Sequence, residues 1–318
     1  MPFQEKIMWR YILKRLLMMI FVVLGVAIVI FSIMFFVPGD PAQIILGSSA
    51  TPDQIEYLRG QMGLDQPYIV QLGRFLRDTF IYWDFGTSYM TKGAIIKEIA
   101  VRFPRTLNLA LWSMIVSVVL GIPLGILAAV KQGKWQDNAA ILISMIGISI
   151  PGFWLALMLV LWFAVDLKWL PAYGVGGPEY YILPVISNAL MSISMNARQT
   201  RSAMLEVIRS DFVVTARAKG VSKRGVIYKH ALPNAMIPII TMLGTGFGSS
   251  LGGTVIIETI FVMPGIGMYM TSAITNLDYP VVRSSVVLLA IVFSIIILLV
   301  DLIYAFVDPR IKAQYTGK

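Results

Sequence analysis

The sequence predicts an all-α integral membrane protein with six transmembrane helices. The 318-residue chain is 57% hydrophobic, has a mean hydropathy of +0.77 and contains only 14% charged residues. Soluble domains are close to half apolar and one quarter charged. The apolar residues form blocks of about twenty, which is the length of a helix that crosses a hydrocarbon core. The strands of a membrane barrel would alternate apolar and polar residues, and these blocks do not.

Charge and side-chain chemistry exclude several classes of site. The net charge of +9 could suit nucleic acid, but in a membrane protein Lys and Arg gather in cytoplasmic loops and set the orientation. We therefore expect membrane lipid and no nucleic acid as a partner. The chain has no cysteine and one histidine, His230, which excludes disulfides, thiolate ligands and a multi-histidine metal centre. We expect no metal site.

The first predicted span covers roughly residues 11–37 and makes residues 1–37 the first segment of the chain. Basic residues precede this span, so we expect the N-terminus in the cytoplasm. Residues 38–101 follow as a small extracytoplasmic domain. Within it, Thr51 suits an N-cap, Gly63 suits a helix stop, and a second helix is predicted from about residue 67 to residue 80.

Residues 102–318 form the predicted core domain, which contains the other five spans. The predicted spans cover residues 106–130, 138–165, 182–204, 234–257 and 284–306. Six spans return the C-terminus to the cytoplasm, where the basic tail from residue 307 onward fits the positive bias.

A polar, basic loop at residues 205–233 separates the fourth span from the fifth. We expect a helix to continue from the fourth span through residues 203–219, with Gly220 just after its C-terminus. Ser222 then caps a short second helix that ends before Pro233, which begins the fifth span.

One face of this loop suits a partner protein. Val213, Ala216 and Gly220 form a stripe of small residues that fits insertion into a groove. The alternative is a solvated basic loop that serves only membrane topology. The residues that we assign to the contact are Asp211, Val213, Ala216, Arg217, Lys219, Gly220, Ser222, Leu232 and Pro233.

The sequence lacks the motifs of the common catalytic sites. It contains no G-x-x-x-x-G-K-[ST], H-E-x-x-H or G-x-S-x-G, so we expect no catalytic residues and no cofactor bound by this chain. The carboxylates Asp166, Glu258 and Asp301 fall near span ends, which leaves no evident proton relay. If the protein moves a solute, the energy is expected from another subunit.

Polar and small residues inside the spans are candidates for a translocation path. The polar candidates are Asn108, Asn188, Asn196 and Ser250. Gly244, Gly248 and Gly252 recur every four residues in the fifth span, which predicts either close internal packing or a helix seam that opens and closes.

The loop also carries a family resemblance. The stretch TARAKGVSKRGVIYKHALPNAMIP resembles the E-A-A-x3-G-x9-I-x-L-P signature of prokaryotic ABC importer permeases. Gly220 takes the motif glycine, and Leu232 and Pro233 take the closing pair. Val214 stands where the glutamate is expected, and His230 stands where the isoleucine is expected. The stretches VPGDPAQIILG, GLDQPYIVQLGRFL, DFGTSY, RFPRTLNLAL, ETIFVMPGIG and DYPVV resemble the dipeptide, oligopeptide and nickel permease subfamily.

The resemblance implies a type I ABC importer permease fold in a prokaryotic cytoplasmic membrane. It implies a second homologous permease, two cytoplasmic ATPase subunits that carry ATP and Mg, and an extracytoplasmic substrate-binding protein as partners. The loop at residues 205–233 would be the coupling segment that seats in the ATPase, and di- or oligopeptides would be the solute. Nickel or another small solute, an ion-coupled secondary carrier and an adaptor without a transport role are the alternatives.

Overall fold

The computed structural model describes residues 2–307 of the chain, with the side chains of residues 12–248, 250–300 and 302. The predicted basic tail lies almost entirely outside the described residues. The thirteen α-helices of the described part are α1 Pro2–Phe36, α2 Pro41–Leu46, α3 Pro52–Met62, α4 Tyr68–Phe80, α5 Ile95–Val130, α6 Trp135–Ser149, α7 Gly152–Leu159, α8 Glu179–Ile208, α9 Asp211–Ala218, α10 Lys223–Gly225, α11 Leu232–Ile260, α12 Ile266–Thr275 and α13 Tyr279–Val307.

 

Two further segments are π-helical and continue neighbouring helices. Val160–Asp166 extends α7 beyond Leu159, and Val226–Ala231 joins α10 to α11. The described residues contain no β-strand beyond a single isolated bridge between Thr87 and Ala94. The predicted all-α class is therefore confirmed for this part of the chain.

The two helices predicted within residues 38–101 begin and end close to where the sequence predicts. Thr51 and Gln54 form a capping box at the start of α3, and Gly63 ends that helix in the left-handed conformation at φ +66°. The helix predicted at about 67–80 is α4. Glycine fits the positive φ because it has no Cβ to clash with the backbone.

The third predicted span is not one straight helix. Residues 138–165 were expected to cross as a unit, but α6 and α7 meet at an angle of 94°. The bend lies at Ile150 and Pro151, which both have extended backbones. Proline removes a helical donor and disfavours a helical conformation in the residue before it, so the helix breaks here.

The number of spans stays a prediction. Within the described residues, four helices are long and apolar enough to cross a membrane, or five if the bent pair α6–α7 counts as one. The helix at the position of the fourth predicted span, α8, is not among them. Polar and charged side chains lower the mean hydropathy of α8, among them Asn188, Asn196, Arg198 and Arg201.

The structure divides into two compact units. The first contains the chain up to Arg105 together with Pro264–Ile295, and the second contains Thr106–Met263 together with the chain from Ile296. The boundaries fall within α5, between α11 and α12, and within α13. The division of the chain into segments 1–37, 38–101 and 102–318 remains a sequence-based prediction.

The first unit is built on aromatic packing. Phe31 of α1 stacks on Phe75 of α4 with ring centroids 5.4 Å apart, and Val23, Ala27 and Val287 are buried in the same cluster. Burial of such rings dominates the energetics of a core. This cluster fixes α4 against α1.

A buried carboxylate organises the loop that precedes α5. Asp278 is 3% exposed and accepts hydrogen bonds from the Ser88 hydroxyl and from the backbone N–H of Tyr89, 3.0 Å away. The short helix α12 just before Asp278 was not predicted from the sequence. It begins at Ile266 after Gly265, which serves as its N-cap.

The second unit is assembled around α8, which its neighbours approach closely through glycines. A Cβ added at Gly121 of α5 would lie 2.7 Å from the carbonyl oxygen of Ile193. One added at Gly125 would lie 2.5 Å from the carbonyl oxygen of Ala197. The backbones of α5 and α8 are therefore in direct contact, as in small-xxx-small packing of membrane helices.

This contact predicts different outcomes for one substitution at two helical glycines. Gly125→Ala should lower the free energy of unfolding by about 1–3 kcal/mol, because overpacking forces the two backbones apart. Gly252→Ala is the matched control. A Cβ there meets nothing within 4 Å, so the variant should be as stable as the parent or slightly more stable.

Denaturant unfolding of both variants in the same detergent makes the comparison. Equal stability of Gly125→Ala and Gly252→Ala would contradict the close approach of α5 to α8.

Candidate functional site

The loop at residues 205–233 folds as a compact helical hairpin, α9–turn–α10, which we call the coupling hairpin. The turn is a Schellman motif: the N–H of Gly220 donates to the carbonyl of Arg217 at 3.0 Å, and the N–H of Val221 donates to that of Ala216 at 3.2 Å. Gly220 has φ +78°, which confirms its predicted place after the helix. Ser222 then caps α10 by accepting from the N–H of Gly225 at 3.2 Å.

The hairpin does not continue from the fourth span, as residues 203–219 were expected to do. Helix α8 ends at Ile208, and Ser210 has the extended backbone of an N-cap at the start of α9. The Ser210 hydroxyl donates to the carbonyl of Val207 at 2.6 Å, which satisfies an acceptor at the end of α8. This local hydrogen bond competes with continuation of the helix.

The expected break before Pro233 is also absent. The π-helical segment runs from α10 directly into α11, and the N–H of Leu232 bonds to the carbonyl of Ile227 in π-helical spacing. Pro233 lies in the first turn of α11, as predicted. Proline cannot donate a hydrogen bond, and the helical path continues through this position after a π-helical turn.

Two of the three residues of the small-residue stripe, Val213 and Ala216, point into the chain. Val213 is fully buried and Ala216 is 7% exposed, and α9 contacts the π-helical segment that contains the buried Val226. The expectation that Val213 and Ala216 are presented outward is therefore wrong for this structure. The residues that flank Val213 on α9 are exposed, Phe212 at 47% and Val214 at 53%.

Charged side chains surround this exposed apolar pair. Within the hairpin, the exposed members of the predicted contact set are Asp211, Arg217, Lys219, Gly220, Ser222 and Pro233, and Leu232 is partly buried. Phe212 and Val214 are therefore exposed apolar residues on a hairpin whose exposed charged side chains are mostly basic, and we call these basic residues the basic rim. Apolar anchors with a polar rim are the usual composition of a protein interface.

A second group of predicted residues meets between α5, α8 and α11. The Asn188 side-chain amide donates to the hydroxyls of Ser113 and Ser250, each at 3.1 Å. About two turns further along α8, the Asn196 amide donates to the Ser117 hydroxyl at 3.1 Å. We call these residues the polar seam. The structure thus brings Asn188 and Ser250 together and gives Asn196 its own partner.

The other path candidates are placed differently. Asn108 is exposed and has no side-chain hydrogen bond within the part of the chain that the structure describes. Gly244 and Gly248 are buried, whereas Gly252 is exposed. A Cβ at Gly244 would collide with Val300 of α13, so at this position the glycine serves packing. The three glycines do not share one environment.

Sequence reasoning missed the strongest polar contact of the second unit. Arg201 of α8 donates to both carboxylate oxygens of Asp137 in α6, at 2.6 and 2.9 Å, and Asp137 also accepts from the N–H of Gly133. The Asp137 side chain is 3% exposed. One signal could have predicted this pair. Arg201 lies inside the predicted fourth span, and a charged residue within a span usually pairs with an opposite charge.

Comparison with known proteins identifies the family. The profile of the family described as "Binding-protein-dependent transport system inner membrane component" matches residues 121–313, and the profile of its N-terminal region matches residues 8–110. This chain belongs to that family. It is therefore a multi-pass membrane component of a binding-protein-dependent transport system.

Curated relatives of this transporter component match along nearly its whole length. The dipeptide transport system permease protein DppB of Alkalihalophilus pseudofirmus is 41% identical over 333 residues, which cover 96% of this chain and 100% of that protein. The glutathione transport system permease protein GsiC of Salmonella paratyphi A is 42% identical over 305 residues, which cover 96% of this chain and 99% of that protein.

A solved structure supports the fold of the transporter component. The inward-facing MetNI methionine ABC transporter matches with a TM-score of 0.58 and 20% identity, over 67% of this chain and 97% of that chain. The predicted type I importer permease fold is confirmed.

The buried ion pair predicts a specific order of stabilities. Arg201→Met should cost about 3–5 kcal/mol of unfolding free energy, because it leaves the Asp137 carboxylate buried without a cation. The double variant Asp137→Leu/Arg201→Met should recover most of that loss, since no unpaired charge remains. Arg198→Met, at an exposed position on the same helix, is the control and should change stability by less than about 0.5 kcal/mol.

Thermal or denaturant unfolding of the three variants measures this order. If the double variant were as unstable as Arg201→Met, desolvated charge would not be the cause of the loss.

Proposed function

We propose that this chain is a permease subunit of an ATP-driven importer of di- and oligopeptides that an extracytoplasmic binding protein delivers. The observation that carries the substrate class is the 41% and 42% identity, over 96% of the chain, to permeases named for a dipeptide and for glutathione. Both named solutes are small peptides. The family description supplies the dependence on a binding protein.

In this proposal the chain itself performs no chemistry. It pairs with a second homologous permease, and two cytoplasmic ATPase subunits bind and hydrolyse ATP with Mg. The sequence supports this division of labour, because it contains no phosphate-binding loop of the Walker type. The energy for transport must then reach the permease through a protein contact.

The coupling hairpin is the proposed point of that contact. The exposed Phe212 and Val214 would enter a cleft of an ATPase subunit, and the basic rim would meet polar groups around the cleft. Val213 and Ala216 would act from inside, by holding α9 on the π-helical segment. Arg217, Lys219, Gly220 and the rest of the predicted contact set would shape and frame the docking surface.

The hairpin is built to pass a displacement on to the transmembrane helices. The Schellman turn at Gly220 and the cap at Ser222 leave no loose residues between α9 and α10. The helical path then continues without a break from Lys223 through Ile260. A push on α9 would therefore move α11 as a rigid body, which is the way packed elements transmit a change of state.

The proposed orientation places the hairpin and both chain termini in the cytoplasm. Basic residues precede the first span and lie in the hairpin, in agreement with the positive-inside bias. The polar seam of Asn188, Asn196 and Ser250 is the proposed polar lining of the path, because these groups lie between three helices within the second unit.

Reconstitution tests the proposed function. Proteoliposomes that contain this chain, its co-purifying permease and both ATPase subunits should take up a labelled dipeptide only under two conditions. ATP must be present on the side of the membrane that carries the ATPase subunits, and the binding protein must be present on the opposite side. Uptake driven by a proton or sodium gradient without any ATPase would contradict an ATP-driven importer.

Two exposed side chains provide a sharper prediction about the docking surface. Phe212→Ser combined with Val214→Ser should weaken binding of the ATPase subunits at least tenfold, because burial of these side chains contributes about 1.5–3 kcal/mol each. Co-purification and ATP-dependent uptake measure the effect. Val175→Ser, at a similarly exposed position between α7 and α8, is the control.

The control should retain full assembly and uptake. Unchanged ATPase binding in the Phe212→Ser/Val214→Ser variant would show that the hairpin docks by another face or does not dock.

A further inference from the structure

Two cavities of the first unit share a wall that contains an arginine and a tyrosine. The cavities border about 600 and 770 Å³ of non-protein space, and Leu64, Gln71, Tyr89 and Arg283 line both. Tyr279 lines the larger one. They are therefore two lobes around one set of polar groups, which we call the arginine cavity.

Arg283 is held in this cavity by aromatic rings. Its guanidinium lies 5.0 Å from the ring centroid of Phe75 and 5.8 Å from that of Phe31, the stacked pair of the core. Such cation–π contacts fix a guanidinium without using its N–H groups. Within the described part of the chain, Arg283 has no hydrogen-bond acceptor and no ion-pair partner, so its N–H groups remain available to a ligand.

The nearest carboxylates already have other partners. Asp278 accepts from Ser88 and the following backbone N–H groups. Asp78 pairs with Arg77 at 2.8 Å. The third carboxylate, Asp40, caps α2 and pairs with Arg59 at 3.4 Å. None of these three carboxylates therefore forms a hydrogen bond with the guanidinium of Arg283.

The two tyrosine hydroxyls add donors beside the arginine. The Tyr279 hydroxyl is buried and has no hydrogen-bond partner among the described residues. The Tyr89 hydroxyl likewise has none there, and burial raises the pKa of Tyr89, which keeps it protonated as a donor. A buried polar group without a partner costs free energy unless a ligand or water satisfies it.

We propose that Arg283, Tyr89 and Tyr279 bind a singly charged oxyanion. An arginine fork matches two oxygens side by side, and the tyrosine hydroxyls can donate to the same oxygens. The carboxylate of a small solute and the phosphodiester of a lipid headgroup both present this chemistry. Arg283 contributes one positive charge to the site, and Arg74, which lines the smaller cavity, adds to its preference for an anion. The proposal is independent of the solute that the importer carries.

Ligand-induced stabilisation of the full-length chain tests the site. In neutral detergent, acetate or dimethyl phosphate should raise the unfolding temperature saturably, whereas the uncharged analogues acetamide and trimethyl phosphate should not. Arg283→Gln should abolish the effect. Tyr89→Phe/Tyr279→Phe keeps both rings and should weaken the apparent affinity about tenfold or more. If Arg283→Gln does not fold, the double tyrosine variant alone tests whether the cavity binds the oxyanion.

Native mass spectrometry distinguishes the source of the oxyanion. If a lipid is the ligand, the parent chain should retain one more phosphatidylglycerol molecule than Arg283→Gln or the double tyrosine variant. A response to acetate without this lipid difference assigns a soluble carboxylate.

Arg198→Gln is the matched control, because Arg198 is exposed and does not line either cavity. It should behave as the parent chain in both measurements. The proposal is overturned if the parent, Arg283→Gln and the double tyrosine variant respond equally to the oxyanions and retain equal numbers of lipids. It is also overturned if the parent shows neither response.

Discussion

Direct backbone contact between α5 and α8 is the constraint on which the second unit depends. Gly121 and Gly125 allow it because any larger residue would collide with the carbonyls of α8. Once the backbones touch, the amides of Asn188 and Asn196 reach serine hydroxyls on α5, and Arg201 reaches Asp137 on α6. Helix packing in a membrane gains little from the hydrophobic effect, so close contact and interhelical hydrogen bonds must supply the stability.

Helix α8 also positions the coupling hairpin, which is the proposed docking surface. The coupling hairpin begins two residues after α8 ends, and its inner face packs on the segment that leads into α11. A hairpin held at both ends by rigid helices can transmit force, whereas a flexible basic loop cannot. Val213 holds α9 on that segment from within, and the flanking Phe212 and Val214 are exposed to a partner.

Signals between neighbouring residues in the sequence allowed many of the helix ends and turns to be predicted. Caps and turns such as Thr51, Gly220 and Ser222 depend on neighbouring residues only, and the structure confirms them. Side-chain direction depends on tertiary packing, so the sequence could not show that Val213 points inward. The Asp137–Arg201 pair joins residues 64 positions apart, and nothing local links them. The family signature located the hairpin, but it carries no information on which face the chain itself covers.

Thiol accessibility at a single introduced cysteine tests the central claim most directly, because the natural chain has no cysteine. In the isolated permease, Val214→Cys should react rapidly with a membrane-impermeant maleimide, and Val213→Cys should not. In the complete complex with the ATPase subunits, we predict strong protection of Val214→Cys and unchanged labelling of Val175→Cys. Equal labelling of Val214→Cys with and without the ATPase subunits would contradict the account of the hairpin as the docking surface.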